Sequence, residues 1–135
     1  MRPKPFLDTN VLVYAFTDED PRKERATALI AAGGVVSVQV LNEFVDVARR
    51  RLGRDWVSVV AALDTLGAVL DPPVPLTADL HRDAVDLAQR HGFRIYDSLI
   101  LAAARRAGCR VLYSEDMQDG QVIEGVQVSN PFAGL

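Results

Sequence analysis

Apolar positions change their period several times along the chain. Phe6-Leu7 is a short apolar run that stops at Asp8-Thr9-Asn10, residues that favour a helix N-terminus, and a short helix is expected to about Phe16. Asp18-Glu19-Asp20-Pro21 reads as a second helix start, with acids near the positive end and Pro21 in the first turn. Leu29 and Ile30 would face inward, and Gly33-Gly34 would stop that helix. Val35-Val36-Ser37-Val38 carries a brief strand signal. From Gln39 the spacing turns helical, with Leu41, Phe44, Val45 and Ala48 recurring at three and four residues until Arg49-Arg50-Arg51-Leu52-Gly53. A further helix is expected from Asp55 to Leu66, then a strand-like Ala68-Val69-Leu70 broken by Pro72-Pro73. Thr77 caps the next helix, with Leu80, Ala84, Leu87 and Ala88 on one face and an end near His91-Gly92. Ile95-Tyr96 precedes Asp97, expected as the cap of a helix that is apolar all round from Leu99 to Ala104 and therefore buried. Arg110 to Tyr113 reads as a strand and Ser114 to Gly120 as a polar loop. Val122-Ile123 and Val126 to Val128 close the chain as two short strand pieces.

Strands that alternate with helices predict an α/β fold with a mainly parallel sheet. No repeat or linker divides the chain, so residues 1–135 are expected to form a single domain. In such sheets ligands sit beyond the carboxyl ends of the strands. Three acids fall there: Asp8 after the first strand, Asp97 at the start of the buried helix, and Asp116 after the strand that ends at Tyr113. A fourth, Glu43, stands between Leu41 and Phe44 in an otherwise apolar helix. Taken singly, Asp8 and Asp97 serve equally as helix caps, Glu43 as a solvated helix residue and Asp116 as an ordinary loop acid beside Glu115 and Asp119. Their joint arrival at one edge is what carries meaning. Two carboxylates about 5 Å apart repel by roughly 3 kcal/mol at an effective dielectric of 20. Four together must take up protons or bind a cation. An all-oxygen donor set suits Mg²⁺ or Mn²⁺, and no thiolate or imidazole cluster selects Zn²⁺. Such an ion acidifies water and stabilises charge on a phosphate, which points to phosphodiester hydrolysis.

Charge at first argues the other way. The chain holds 15 Lys+Arg against 18 Asp+Glu, a net of −3, which excludes a nucleic-acid binder that relies on broad positive charge. Setting the four candidate acids aside turns the balance slightly positive. The composition is 49% hydrophobic and 24% charged, which excludes a disordered chain. One cysteine, Cys109, excludes an internal disulfide and is expected as a small buried hydrophobe. No apolar stretch approaches a membrane span, and Met-Arg-Pro-Lys-Pro is not a signal-peptide start, so a cytoplasmic protein is the default expectation. Arg49, Arg50, Arg51 and Arg54 form the densest basic cluster, and Arg105, Arg106 and Arg110 a second. Either tracks a nucleic-acid backbone or simply complements helix C-termini. His81 and His91 are expected at the surface, and Trp56 and Phe93 in core or interface.

Four segments together resemble the PIN-domain family, most closely its VapC-like toxin branch, over nearly the whole chain. They are Phe6-Leu7-Asp8-Thr9-Asn10-Val11-Leu12, Ser37-Val38-Gln39-Val40-Leu41-Asn42-Glu43-Phe44, Tyr96-Asp97-Ser98 through Ala104, and Leu112-Tyr113-Ser114-Glu115-Asp116-Met117-Gln118-Asp119-Gly120. The closing Asn130-Pro131-Phe132 is also similar to this branch. The resemblance implies a three-layer α/β/α sandwich, an Mg²⁺- or Mn²⁺-dependent endoribonuclease, an RNA substrate, a cognate antitoxin and a homodimer. It implies that Asp8 and Asp97 hold the metal while Glu43 and Asp116 complete the pocket. Thr9 and Asn10 would support Asp8, and Ser114 would support the fourth acid, with Asp119 an alternative to Asp116. A haloacid-dehalogenase-like phosphatase also begins with an Asp after its first strand, but needs a second acid two residues on, where this chain has Asn10. An inactive RNA- or partner-binding module, or a PIN nuclease of RNA processing, are the other readings.

Overall fold

A computed structural model describes residues 3–135; Met1 and Arg2, at the head of the polar lead-in, lie outside them. The chain order is β1 (Phe6–Leu7), α1 (Thr9–Ala15), α2 (Lys23–Ala31), α3 (Val38–Arg50), α4 (Trp56–Val69), α5 (Ala78–His91), α6 (Ile95–Arg106), β2 (Val111–Tyr113), β3 (Val122–Ile123) and β4 (Val126–Ser129). The sheet runs β1-β2-β4-β3; only the β3–β4 pair is antiparallel. Two parallel single-residue bridges extend it past β1, Phe6 to Val35 and Ser37 to Val74. This is the α/β fold with a mainly parallel sheet that the alternation of elements predicts.

Phe6 and Leu7 are fully buried because β1 lies between two neighbours. On one side Leu7 N–H donates to the Val35 carbonyl at 2.9 Å; on the other Asp8 N–H donates to the Tyr113 carbonyl at 3.0 Å. A strand flanked and covered in this way is apolar on both faces. Gly34 lets the neighbouring segment approach: a Cβ there would stand 3.1 Å from the Pro5 carbonyl and 3.2 Å from the Leu7 side chain. The helices pack on this sheet and on one another, α5 against α6, and α1 against both α2 and α3. Residues Leu99 to Ala104 of α6 are all buried, as their apolar run predicts. Cys109 is buried too. Among the described residues no helix is long and apolar enough to cross a membrane.

Thr77 caps α5 by accepting from Leu80 N–H at 3.1 Å, and Gly92 closes the helix in the left-handed region at φ 72°. Thr77→Ala is expected to cost about 1 kcal/mol in urea denaturation.

Four local expectations are corrected. The Val35–Val38 strand is reduced to bridges, because Ser37 accepts from Val40 N–H at 3.2 Å and turns the chain into α3. Helix α4 runs through Val69, so Ala68-Val69-Leu70 is no strand; Leu66 on its buried face accepts from Leu70 N–H at 2.9 Å. Helix α2 starts at Lys23, not at Pro21, because Asp20 accepts from Arg22 N–H at 2.9 Å and holds Pro21 in the preceding turn. Asp97 does not cap α6: Arg94 is the capping residue and makes no side-chain cap bond, while Asp97 lies in the first turn. Trp56, expected in core or interface, is 57% exposed, beneath the Arg49 guanidinium at 4.6 Å.

Candidate active site

The end of β1, the end of β2 and the N-terminus of α1 meet at Asp8. Parallel pairing of Leu7 with Tyr113 brings the residues after both strands to the same sheet edge. Asp8 is the N-cap of α1, and its Oδ1 accepts from Thr9 N–H at 2.7 Å. Ser114 Oγ donates to Asp8 Oδ2 at 2.7 Å and accepts from Asp116 N–H at 3.2 Å. One hydroxyl therefore links the acid after β1 to the acid after β2.

The other contacts redistribute the expected supporting roles. Thr9 Oγ1 donates to Glu43 Oε2 at 2.6 Å, and Gln39 Nε2 donates to Glu43 Oε1 at 3.1 Å. Asn10 Nδ2 donates to Asp116 Oδ2 at 3.2 Å. Thr9 thus reaches Asp8 through its backbone only, and Asn10 holds the fourth motif. Asp119 does not join this group and accepts from Asn130 N–H at 2.8 Å. Gln39 escaped the reading of the sequence, although its spacing of four from Glu43 on one helix carries the signal.

The charges of Glu43 and Asp116 reach both Asp8 and Asp97. Burial pushes Asp8 up to about 6, with the charges of Asp116 and Glu43 adding to it and the bonds from Ser114 and Thr9 pulling back. Asp97 is also raised, first by burial and then by Asp116 and Glu43, against the opposing pull of Arg94. Both acids therefore sense the same two partners. Thr9, Asn10, Glu43 and Asp116 line a cleft of about 390 Å³ between α1 and α3, together with Val13, Tyr14, Val47, Asp46, Arg51 and Glu115.

The donor set fits a hard cation. It consists of carboxylate oxygens with no imidazole or thiolate among them. Among the described residues two buried side-chain polar atoms lack a partner, Asn10 Oδ1 and Ser98 Oγ, and each belongs to a residue within two positions of a candidate acid. As placed, no three acids, histidines or cysteines among the described residues close around one point.

The basic clusters separate into different surroundings. Arg54 donates to Ser58 Oγ at 2.8 Å and to the Phe16 carbonyl at 2.5 Å, so it staples α4 to the end of α1. Arg49 donates to the Arg54 carbonyl at 3.0 Å, and Arg50 pairs with Asp46. Arg51 alone of the four lines the cleft. Arg105 and Arg106 pair with Glu124 and Asp83 instead.

The model of the PIN domain family matches residues 6–118, which takes in all four acids. The chain belongs to the PIN domain family. Ribonuclease VapC7 of Mycobacterium tuberculosis is 27% identical to this PIN domain over 96% of this chain and 93% of its own length. The crystal structure of M. tuberculosis VapC20, a toxin that cleaves the sarcin-ricin loop, is similar at 28% identity and a TM-score of 0.69, covering 83% of this chain and 89% of that one. A toxin–antitoxin complex from Klebsiella pneumoniae shares the fold, with a TM-score of 0.72 at 20% identity over 95% of this chain and 98% of that one.

Proposed function

We propose that this PIN domain is an Mg²⁺- or Mn²⁺-dependent endoribonuclease, the toxin of a toxin–antitoxin pair. One observation carries the reading: Ser114 Oγ joins Asp8 to Asp116 at the sheet edge, while Thr9 and Asn10, the first residues of α1, reach Glu43 and Asp116. Similarity to VapC7 and VapC20 supports RNA as the substrate.

Asp8 and Asp97 hold the cation, and Glu43 and Asp116 complete its pocket. Asp116 is assigned the fourth place because Asp119 is occupied by Asn130 N–H. A divalent ion bound there neutralises the carboxylates and stabilises the charge that builds on the phosphate. Thr9 and Gln39 fix the two oxygens of Glu43, so its carboxylate keeps one orientation towards the cleft. Glu43 and Asp116 orient the attacking water, and one of the two carboxylates accepts its proton as its oxygen bonds to phosphorus; the P–O bond to the leaving nucleotide breaks and the departing oxygen takes up a proton from solvent. Water is the nucleophile in this reading, and no covalent enzyme intermediate forms. Arg51 grips a phosphate beside the scissile one.

A protein antitoxin offering a basic group would enter the same acidic cleft, and the active species is a homodimer acting in the cytoplasm. The test is calorimetric titration with Mn²⁺ beside cleavage of a labelled single-stranded RNA, with and without EDTA. Binding together with EDTA-sensitive cleavage is expected; neither would identify an inactive binding module. Arg51→Ala is expected to raise KM several-fold and to reduce the slope of log KM against log salt by roughly 1, with kcat within twofold. An unchanged slope would remove Arg51 from the substrate path.

A further inference from the structure

The loop from Ser114 to Gly120 carries Asp116, and both of its ends are tied to elements outside the acid cluster. Near its start, Tyr14 OH donates to Glu115 Oε1. Arg22 Nη1 donates to Tyr14 OH at 2.7 Å and pairs with Glu115 Oε2 at 3.4 Å. The Arg22 guanidinium lies 3.9 Å over the Tyr14 ring, and Asp20 fixes its far side at 2.8 Å. Near the loop's end, Asp119 Oδ1 accepts from Asn130 N–H at 2.8 Å, and Asn130 Oδ1 accepts from Phe132 N–H at 2.9 Å. The circuit then closes, because the Phe132 ring meets the Tyr14 ring edge-on at 5.0 Å. Arg25 reinforces it from α2 by donating to the Pro131 carbonyl at 2.7 Å.

We infer that Glu115 is a positioning residue for the hydrolysis: through Tyr14 and Arg22 it clamps the loop so that Asp116 and Ser114 stand at the sheet edge, and the Asn130–Phe132 turn is the other jaw of that clamp. This rests on the nuclease reading. Glu115 faces the same cleft as Asp116 and is one residue away, so a flexible loop would let it compete for the cation. Its two oxygens are instead committed, one to a phenol and one to a guanidinium. The loop's own grip on Asp116 consists of two contacts of 3.2 Å, from Asn10 Nδ2 and to Ser114 Oγ, both long and weak. The clamp holds shorter bonds, from Arg22 to Tyr14 OH at 2.7 Å and from Asn130 N–H to Asp119 at 2.8 Å, beside the longer Arg22–Glu115 pair at 3.4 Å.

The clamp and a ligand role for Glu115 give different results in two variants. Glutamine keeps an oxygen that accepts from Tyr14 OH and gives up the longer Arg22 pair at 3.4 Å; alanine keeps neither. For Glu115→Ala the expected result is at least a tenfold fall in kcat and a fivefold rise in the Mn²⁺ Kd by calorimetry, with KM within twofold. For Glu115→Gln both kcat and Mn²⁺ Kd are expected within threefold of the wild type. Asn130→Ala is expected to follow Glu115→Ala in direction. A loss in Glu115→Gln equal to that in Glu115→Ala makes Glu115 a ligand and overturns the clamp. Wild-type kcat and Mn²⁺ affinity in Glu115→Ala also overturn it, provided the wild-type protein binds Mn²⁺ and cleaves RNA. A wild-type protein that does neither overturns the nuclease reading, and the clamp's catalytic role falls with it.

Discussion

Asp8→Asn is expected to lower cleavage of single-stranded RNA on the order of a thousandfold while the chain stays folded. Asp8 is the acid most firmly fixed at the sheet edge, held by a backbone N–H and by Ser114 at 2.7 Å each. An amide keeps the shape of the side chain and the N-cap bond to Thr9, so circular dichroism and the cooperativity of unfolding should match the wild type. What disappears is the negative charge, and with it the Mn²⁺ isotherm. Asp97→Asn should behave in the same way. Wild-type cleavage in either variant would break the assignment of these residues.

The second large effect concerns stability and carries the opposite sign. In the metal-free protein Asp8 is pushed from 3.8 up to about 6, chiefly because it is buried. Between those values the unfolded chain has released this proton while the folded chain retains it. The folded state binds more protons there, so stability falls as pH rises from about 4 to about 6. The interval corresponds to about 3 kcal/mol. Urea denaturation in EDTA should reveal this decline, and Asp8→Asn should flatten it. At pH 7.5 the metal-free variant is then more stable than the metal-free wild type by roughly 1–3 kcal/mol. Saturating Mn²⁺ should stabilise the wild type and leave the variant unmoved. A wild type whose metal-free stability is level across this range would remove Asp8 as a strained acid.

These two expectations share one cause. Carboxylates useful for holding an ion repel one another when the ion is away, and the β1–β2 pairing holds Asp8 and Asp116 together regardless. The fold meets the cost with its core: Phe6, Leu7, Leu12, Phe44 and Leu112 are all fully buried around that edge.

Much of this was legible in the residues. The short apolar runs before Asp8 and Ser114, and the rule that ligands gather beyond the carboxyl ends of parallel strands, lead to the edge where Asp8, Ser114 and Asp116 meet. Caps such as Thr77 are local chemistry and can be read locally. The misreadings lie where distant contacts decide. Val35–Val38 looks like a strand by composition, but whether such a run pairs over four residues or one depends on neighbours far along the chain. Ala68-Val69-Leu70 could extend a helix or form a strand, and the packing of α4 chose the helix. Which carboxylate a given hydroxyl serves is likewise invisible in spacing: Thr9 adjoins Asp8 yet donates to Glu43, 34 positions away. Tyr14 and Arg22 carried no signal until they met Glu115, more than 90 residues further on.

The link from Ser114 to Asp8 spans 106 positions. Strand β2, which delivers Ser114, is itself held on its far side by β4, ending at Ser129. A ribosome therefore makes Asp8 at a point 106 positions before its hydroxyl partner, and the strand that braces that partner later still. Nascent chains that stop short of Ser129 carry Asp8 without the full strand pairing that sets Ser114 beside it.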